Sequence, residues 1–198
     1  GAAVPIPGQA PFALGRTHAD PALLRQFGRL VRRHLTAEAA HFGYGDPRGG
    51  EGLRSAIAEH LAATRGIACD PGRVLVTSGT QQALRLCAEV LLRPGDAVWM
   101  EDPGYPSARR ILEACGARLV PVPVDRHGLD AGEGRRQAPS ARLAYVTPSH
   151  QFPTGVTMSM ERRLALLDWA REAGSWVVED DYDSEFRYAG PPLTALAG

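Results

Sequence analysis

The sequence predicts an α/β fold, a mostly parallel sheet with helices on both faces, and three observations predict it. Short apolar runs alternate with amphipathic helical patterns along the chain. These runs are continuous, without the in-and-out alternation of a sheet that has one wet face, so they suit strands buried on both sides. Glycine and proline punctuate the joins, with Pro94-Gly95, Gly116 and Gly174 at helix ends.

The elements follow in order. Gly1 to Gly15 is rich in Pro, Gly and Ala without periodicity and reads as an entry arm, so residues 1–19 are assigned as an arm or linker and 20–198 as the domain. Asp20 looks like an N-cap with Pro21 at the first helical position. Leu23, Phe27, Leu30, Val31 and Leu35 then share one face, and Arg25, Arg29, Arg32 and Arg33 the other, which reads as a solvated face. After a glycine-rich turn from Gly43 to Gly52, Leu53, Ile57 and Leu61 mark a helix, and Val74 to Val76 a short buried strand. A helix through Ala83, Leu84, Cys87, Val90 and Leu91 precedes a strand at Ala97 to Met100. Next come a helix through Ala108, Ile111, Leu112 and Cys115, a strand near Leu119 to Val122, and a strand at Leu143 to Val146. Last are a helix through Met160, Leu164 and Leu167 and the strand Trp176 to Val178.

Composition narrows the function classes. At 198 residues, with 44% apolar and 22% charged residues, the chain has enough apolar content for a buried core. Formal net charge is zero, so the domain offers no electrostatic case for nucleic acid or an anionic membrane. Neither a transmembrane run nor a signal-peptide pattern occurs, and the chain reads as cytoplasmic. Cys69, Cys87 and Cys115 are odd in number, far apart and free of metal-ligand spacing, which suits buried thiols. All 22 basic residues are arginine; there is no lysine.

A sheet of this kind presents ligands to the carboxyl ends of its strands, and four such ends carry chemistry. Thr77-Ser78-Gly79-Thr80-Gln81-Gln82 is a glycine turn entering a helix. Free N–H groups and the positive helix end suit a phosphate there, and a plain cap by Ser78 or Thr80 suits it equally. Neither GxxxxGK[ST] nor a strand followed by GxGxxG occurs; Gly43, Gly45 and Gly49 have other spacing and follow no strand. Glu101-Asp102-Pro103-Gly104-Tyr105-Pro106 places an aromatic ring beyond a strand, either to stack on a planar ligand or to lie on the protein's own surface. Thr147 to Gly155 is an irregular polar loop, and Glu179-Asp180-Asp181-Tyr182-Asp183 sets three acids after an apolar strand. No second cluster of ligands in a recognisable spacing accompanies them, which argues against a metal.

Together and in this order, FGYGDPRG, LVTSGTQQAL, EDPGYPSAR, VPVPVDRHGL, VTPSHQFPTG and VVEDDYDSEFRY resemble the large domain of fold-type I pyridoxal-phosphate (PLP) enzymes. They look most like the aminotransferase-like domain of MocR-type regulators, where it follows a GntR-type winged-helix DNA-binding domain. The resemblance runs from Phe12 to the end of the chain. The forms SHQFPTG and EDDYDSEFRY favour the regulator branch over ordinary aminotransferases, which carry a version of NPTG and a longer spacing between Asp and Tyr.

The resemblance implies a three-layer α/β/α, aspartate-aminotransferase-like large domain with PLP as cofactor. Ser78, Gly79, Thr80 and Gln81 would hold the phosphate at a helix N-terminus. Tyr105 would stack on the pyridine ring, Asp180 would pair with the ring nitrogen and Tyr182 would reach the ring hydroxyl. Tyr44 would be lent to a neighbouring subunit's phosphate site, implying a homodimer. Phe152 stands where NPTG has its asparagine, leaving Tyr182 and His150 or Gln151 to serve the ring hydroxyl.

The lysine that condenses with the cofactor aldehyde falls beyond Gly198 in the resembling families, so truncation is the expected reason for its absence and the chain as it stands is expected to be inactive. Two later strands would insert between Val74 to Val76 and Trp176 to Val178, leaving exposed edges without them and a fragment of low stability. The function implied is an effector-sensing PLP domain of a transcriptional regulator. Its partners would be PLP and a small amino compound, with DNA met only through a separate winged helix and no membrane involved. An aminotransferase acting on an amino acid and a 2-oxo acid, or a catalytically silent dimerisation module, are the alternatives.

Overall fold

The computed structural model describes residues 20–36, 43–184 and 193–197. The entry arm at residues 1–19 lies outside them. The chain divides into two compact units, Gly1–Gly45 and Asp46–Gly198.

In the first unit, α1 (Pro21–His34) begins as expected: the Asp20 side chain accepts from the Ala22 N–H at 2.8 Å and Pro21 holds the first turn. Three basic residues, Arg32, Arg33 and His34, end it, complementing the negative end of the helix. Leu23, Phe27, Leu30, Val31 and Leu35 do lie along it, but all are exposed.

The second unit holds α2 (Glu51–Arg65), α3 (Thr80–Leu91), β1 (Ala97–Asp102), α4 (Pro106–Ala114), β2 (Arg118–Asp125), β3 (Gly128–Leu129), α5 (Ala131–Gln137), β4 (Leu143–Val146), α6 (Met160–Ala173) and β5 (Trp176–Glu179). The strands form one sheet in the order β3-β2-β1-β4-β5. β1 runs parallel to β2 and to β4, and β4 parallel to β5; only the short β3 is antiparallel.

Alternation along the strands sorts the core into two layers. Val98, Met100, Leu143 and Tyr145 pack with Leu84 and Ala88 of α3 and Ala108 and Leu112 of α4. Trp99, Ala144 and Val146 face the other way, onto Leu166, Trp169 and Ala170 of α6 and Ala131 of α5. There Trp99 stacks on Trp169 with ring centroids 3.6 Å apart, and each indole N–H donates to a carbonyl, of Ala138 and of Pro139.

The structure corrects two readings, the strand at Val74 to Val76 and the burial of the cysteines, and adds one feature on α6. Val74 to Val76 forms no strand: Val74 and Val76 are half-buried and Leu75 is exposed. An apolar run becomes a strand only with a ladder beside it, and this one makes a local turn bond, Val74 N–H to the Pro71 carbonyl at 3.2 Å, and one bond to a more distant segment, Val76 N–H to the Arg48 carbonyl at 2.8 Å. On α6 the buried stripe is Arg163, Leu166, Trp169 and Ala170, while Met160 and Leu164 are exposed, because Arg163 is drawn inward by carbonyl groups. The three cysteines are half-buried rather than buried, and all are free. Of the two exposed edges expected, the one at Val74 to Val76 is not a strand, and β5 ends the sheet among the described residues, with Trp176 half in solvent.

Candidate functional site

The carboxyl ends of β1, β4 and β5 and the N-terminus of α3 gather the predicted residues. At α3 the N-cap is Gly79, with φ at +149°, a region that favours glycine, and no side chain caps the helix. Neither Ser78 nor Thr80 is the cap, contrary to one of the two sequence readings. Ser78 instead bonds Gln82 twice, its N–H and hydroxyl both donating to Oε1, at 2.7 and 2.9 Å. That leaves the first-turn N–H groups of α3 facing outward with no cap, an anion-binding arrangement.

The turn after β1 needs Gly104, where a Cβ would collide with the Glu101 carbonyl. It brings Tyr105 back over the strand end, and Gln81 Nε2 donates to the Tyr105 hydroxyl at 3.3 Å. Tyr105 meets Phe152 edge-on at 5.4 Å, Phe152 meets Tyr182 edge-on at 6.4 Å, and Tyr182 lies 5.9 Å from the His150 ring. A continuous strip of rings therefore runs from the α3 terminus to the segment after β5. Phe152, noted in the sequence only as a departure, is its middle member.

The three consecutive acids are divided by the pleat. Asp180 extends the side on which Val178 and Tyr145 lie, and its Oδ2 accepts from the Tyr145 hydroxyl at 2.6 Å. Burial pushes its carboxyl above the usual range, the Asp181 charge adds to that, and the tyrosine bond opposes both. Glu179 and Asp181 point the other way. Buried Arg65 reaches Asp181 at 2.8 Å, Glu179 at 3.5 Å and the Ser149 hydroxyl at 3.0 Å. Glu179 also accepts from the Leu196 N–H at 2.8 Å, and Arg163 spans the carbonyls of Met158, Pro148 and Thr194.

Of the candidates for the ring hydroxyl, the structure separates His150 from Gln151. Gln151 is buried and fully engaged internally: its amide N–H groups serve Glu101, Pro103 and Phe152, and its oxygen takes Thr154 twice. His150 is half-exposed, with Nδ1 at 3.0 Å from the Tyr182 hydroxyl and 2.5 Å from Asp183 Oδ2. Burial first, then the charges of Asp183, Asp180 and Glu101, push the Tyr182 phenol up to about 12. Tyr44 is fully exposed, in the other unit.

Beneath the strip sits Glu101, fully buried at the end of β1. It accepts from the Thr147 hydroxyl at 2.7 Å, the Thr147 N–H at 3.3 Å and Gln151 at 3.1 Å. Burial holds its carboxyl above the ordinary value against those three bonds. Glu101, Tyr145 and Arg65 were not singled out by the sequence reading. A tyrosine inside an otherwise apolar strand was the one available signal, because a buried phenol requires a partner.

Such a site can hold an anion at the α3 terminus, a flat ring among aromatics and a protonated ring nitrogen at Asp180. Among the described residues, no cluster of His, Cys, Asp or Glu is arranged to hold a metal ion, and no helix is long and apolar enough to cross a membrane.

The family model for aminotransferase class I and II matches residues 19–195. The chain belongs to that family. It is 43% identical over 196 residues to the probable rhizopine catabolism regulatory protein MocR of Rhizobium meliloti, covering 98% of this chain and 39% of that protein. Other curated relatives are described as HTH-type transcriptional regulators. Among solved structures, an archaeal alanine:glyoxylate aminotransferase superposes with a TM-score of 0.82 at 32% identity, over 90% of this chain and 46% of its own. The α-aminoadipate aminotransferase of Thermus thermophilus, complexed with N-(5'-phosphopyridoxyl)-L-leucine, gives 0.78 at 30% identity, over 87% and 44%. The chain thus spans less than half the length of these proteins.

Proposed function

We propose that this chain is the PLP-binding, effector-sensing part of a MocR-type transcriptional regulator, acting in the cytoplasm as a homodimer, with a small amino compound as effector and DNA bound through a separate winged helix. The observation that carries the PLP half is the placement of Asp180. Of three adjacent acids it alone stands on the ring-lined side, half-buried, with Oδ1 free of any protein hydrogen bond among the described residues.

The residues present fit the cofactor. The uncapped turn at Gly79, Thr80 and Gln81, with the nearby Ser78 hydroxyl, would take the phosphate dianion. Tyr105 and Phe152 would border the ring, Tyr182 with His150 would face its hydroxyl, and Asp180 would hold the ring nitrogen protonated. Bound there, PLP supplies an aldehyde for an amine and a ring that accepts electrons. This chain's own side chains bind, orient and hold the proton. With no lysine, they offer no side-chain amine to the aldehyde. Tyr44, fully exposed, would reach a partner subunit's phosphate site.

The regulator half is supported by the relatives, whose printed names are those of regulators, and by the SHQFPTG and EDDYDSEFRY forms. The test uses the intact gene product. PLP and candidate amines are added to it with DNA from upstream of its own gene, and mobility shift and keto-acid release are both followed. An amine that alters DNA binding without sustained keto-acid release is the expected result. Steady turnover with no DNA binding would replace this reading with an aminotransferase, and no PLP uptake at all would replace it with a dimerisation module.

A further inference from the structure

Tyr145 lies beside the site, has no part in the reading above, and is a core tyrosine whose hydroxyl meets a carboxylate. It is fully buried in β4, a four-residue strand otherwise made of Leu143, Ala144 and Val146. The parallel register sets it opposite Val178 of β5, and the Asp180 N–H donates to the Val146 carbonyl at 2.9 Å. That main-chain bond carries the ladder one residue past β5 and fixes where the Asp180 side chain starts. The Tyr145 hydroxyl then meets Oδ2 at 2.6 Å, the length of a strong charge-assisted bond.

We propose, resting on the PLP reading, that Tyr145 is the positioning residue for Asp180: its hydroxyl fixes one carboxylate oxygen, favours the anion, and leaves the other oxygen to a ring N–H. A phenol beside a carboxylate can only donate while it keeps its proton. Burial, Asp180 and Glu101 all push the Tyr145 phenol far above its ordinary value, so it remains a donor. A hydrogen bond to the charged form of an acid favours that form, which here opposes the effect of burial on Asp180. The other ionisable groups facing this pair are Glu101 from β1, Tyr105 from the turn after it, and Asp181 and Tyr182 beside Asp180 itself. None of them donates to Oδ2, so the tyrosine has no substitute among the described residues.

The test uses the intact gene product stripped of cofactor. Infrared titration of its carboxyl groups, with Asp180 identified by the band that Asp180→Asn removes, gives the Asp180 midpoint. Tyr145→Phe deletes only the hydroxyl and is expected to raise that midpoint by about one pH unit, the scale of one strong hydrogen bond to a carboxylate. A fluorinated tyrosine placed at 145, a stronger donor of nearly the same shape, is expected to lower it, which keeps the test decisive should Tyr145→Phe fail to fold. PLP affinity by dialysis supplies the second readout. Tyr145→Phe should weaken binding by about tenfold below the midpoint, with the gap closing above it, whereas a merely structural defect weakens binding equally at every pH. A midpoint unmoved by both tyrosine changes overturns the assignment of Tyr145 even if Asp180→Asn weakens PLP. An Asp180→Asn protein that binds PLP as before overturns the cofactor reading and this proposal together.

Discussion

At the carboxyl end of β5, Glu179 and Asp181 sink against Arg65 on one side of the chain, while Asp180 stands on the other with one tyrosine as its partner. Three neighbouring carboxylates have thus been given opposite tasks by a two-residue pleat. The side holding 179 and 181 neutralises its charge internally and ties α2, the loop at Ser149 and the segment at Leu196 into one body. The side holding 180 keeps a polar atom in reserve beside a row of rings. Composition cannot tell such acids apart; direction does.

The largest expected effect lies on the closed side. Arg65→Met removes a buried cation from between two partly buried acids, and stranding a desolvated charge costs up to about 3–5 kcal/mol. The intact gene product carrying the change is expected to melt far lower than its parent, followed by circular dichroism. An unchanged melt would mean that water already serves Glu179 and Asp181, and the contrast between the two sides would collapse.

The open side should respond in binding more than in stability. Asp180→Ala leaves the buried Tyr145 hydroxyl without its acceptor, so the melt is expected to fall by the equivalent of about 1–3 kcal/mol, less than for Arg65→Met, while PLP retention by the intact protein falls by about a hundredfold. Losing one partner of a desolvated charge pair costs roughly 2–5 kcal/mol in binding. If Asp181→Ala instead produced that loss and Asp180→Ala did not, the pleat would have been assigned backwards.

This division shows how much was legible beforehand. The strands at Ala97 and Leu143 could be read because a run buried on both faces is apolar throughout, and the edge strand at Trp176 because its residues are apolar too. The order of the motifs placed Gly79, Tyr105, His150, Asp180 and Tyr182 near one another, and the rings do meet in sequence from Tyr105 to His150. Val74 to Val76 was misread because a strand needs a neighbour, which local composition does not reveal. Arg65 was passed over because arginine on a helix is usually solvated. Tyr145 and Glu101 depend on register between strands far apart in sequence, 35 residues in the case of Tyr145 and Asp180. The inward turn of Arg163 on α6 is illegible for a similar reason: it depends on the carbonyls of Met158, Pro148 and Thr194, which converge there.

A smaller effect is expected at the α3 terminus. Gly79 has room for a side chain, since nothing lies within 4 Å of the Cβ it lacks, but its φ of +149° does not suit one. Gly79→Ala should cost about 1–3 kcal/mol of local strain and reorient the first N–H groups of the helix. Affinity for inorganic phosphate and for PLP should then fall together by about tenfold. Loss of PLP affinity alone would place the phosphate elsewhere and leave this turn as a plain helix start.

The subtlest test concerns pH and joins both sides. Glu101, Glu179 and Asp180 are all held above their ordinary range, chiefly by burial, so the native state keeps protons that the unfolded chain has released. Stability should therefore fall as pH rises from about 4 through the raised native values, and level off beyond them. Asp130, held low by its hydrogen bonds and Arg162, and Asp46, held at about 2 by Arg48, act with the opposite sign, and their contributions are lost on acidification. Glu101→Gln resembles the protonated acid and takes one of the three raised groups out of the balance. Its melting temperature should match the parent near pH 4 and exceed it slightly at neutral pH. A parallel pair of curves would mean that Glu101 is ionised throughout, with the bonds from Thr147 and Gln151 outweighing burial. The acid beneath the rings would then be a fixed negative charge facing Asp180, and the open side would owe more to repulsion between carboxylates than to its one tyrosine.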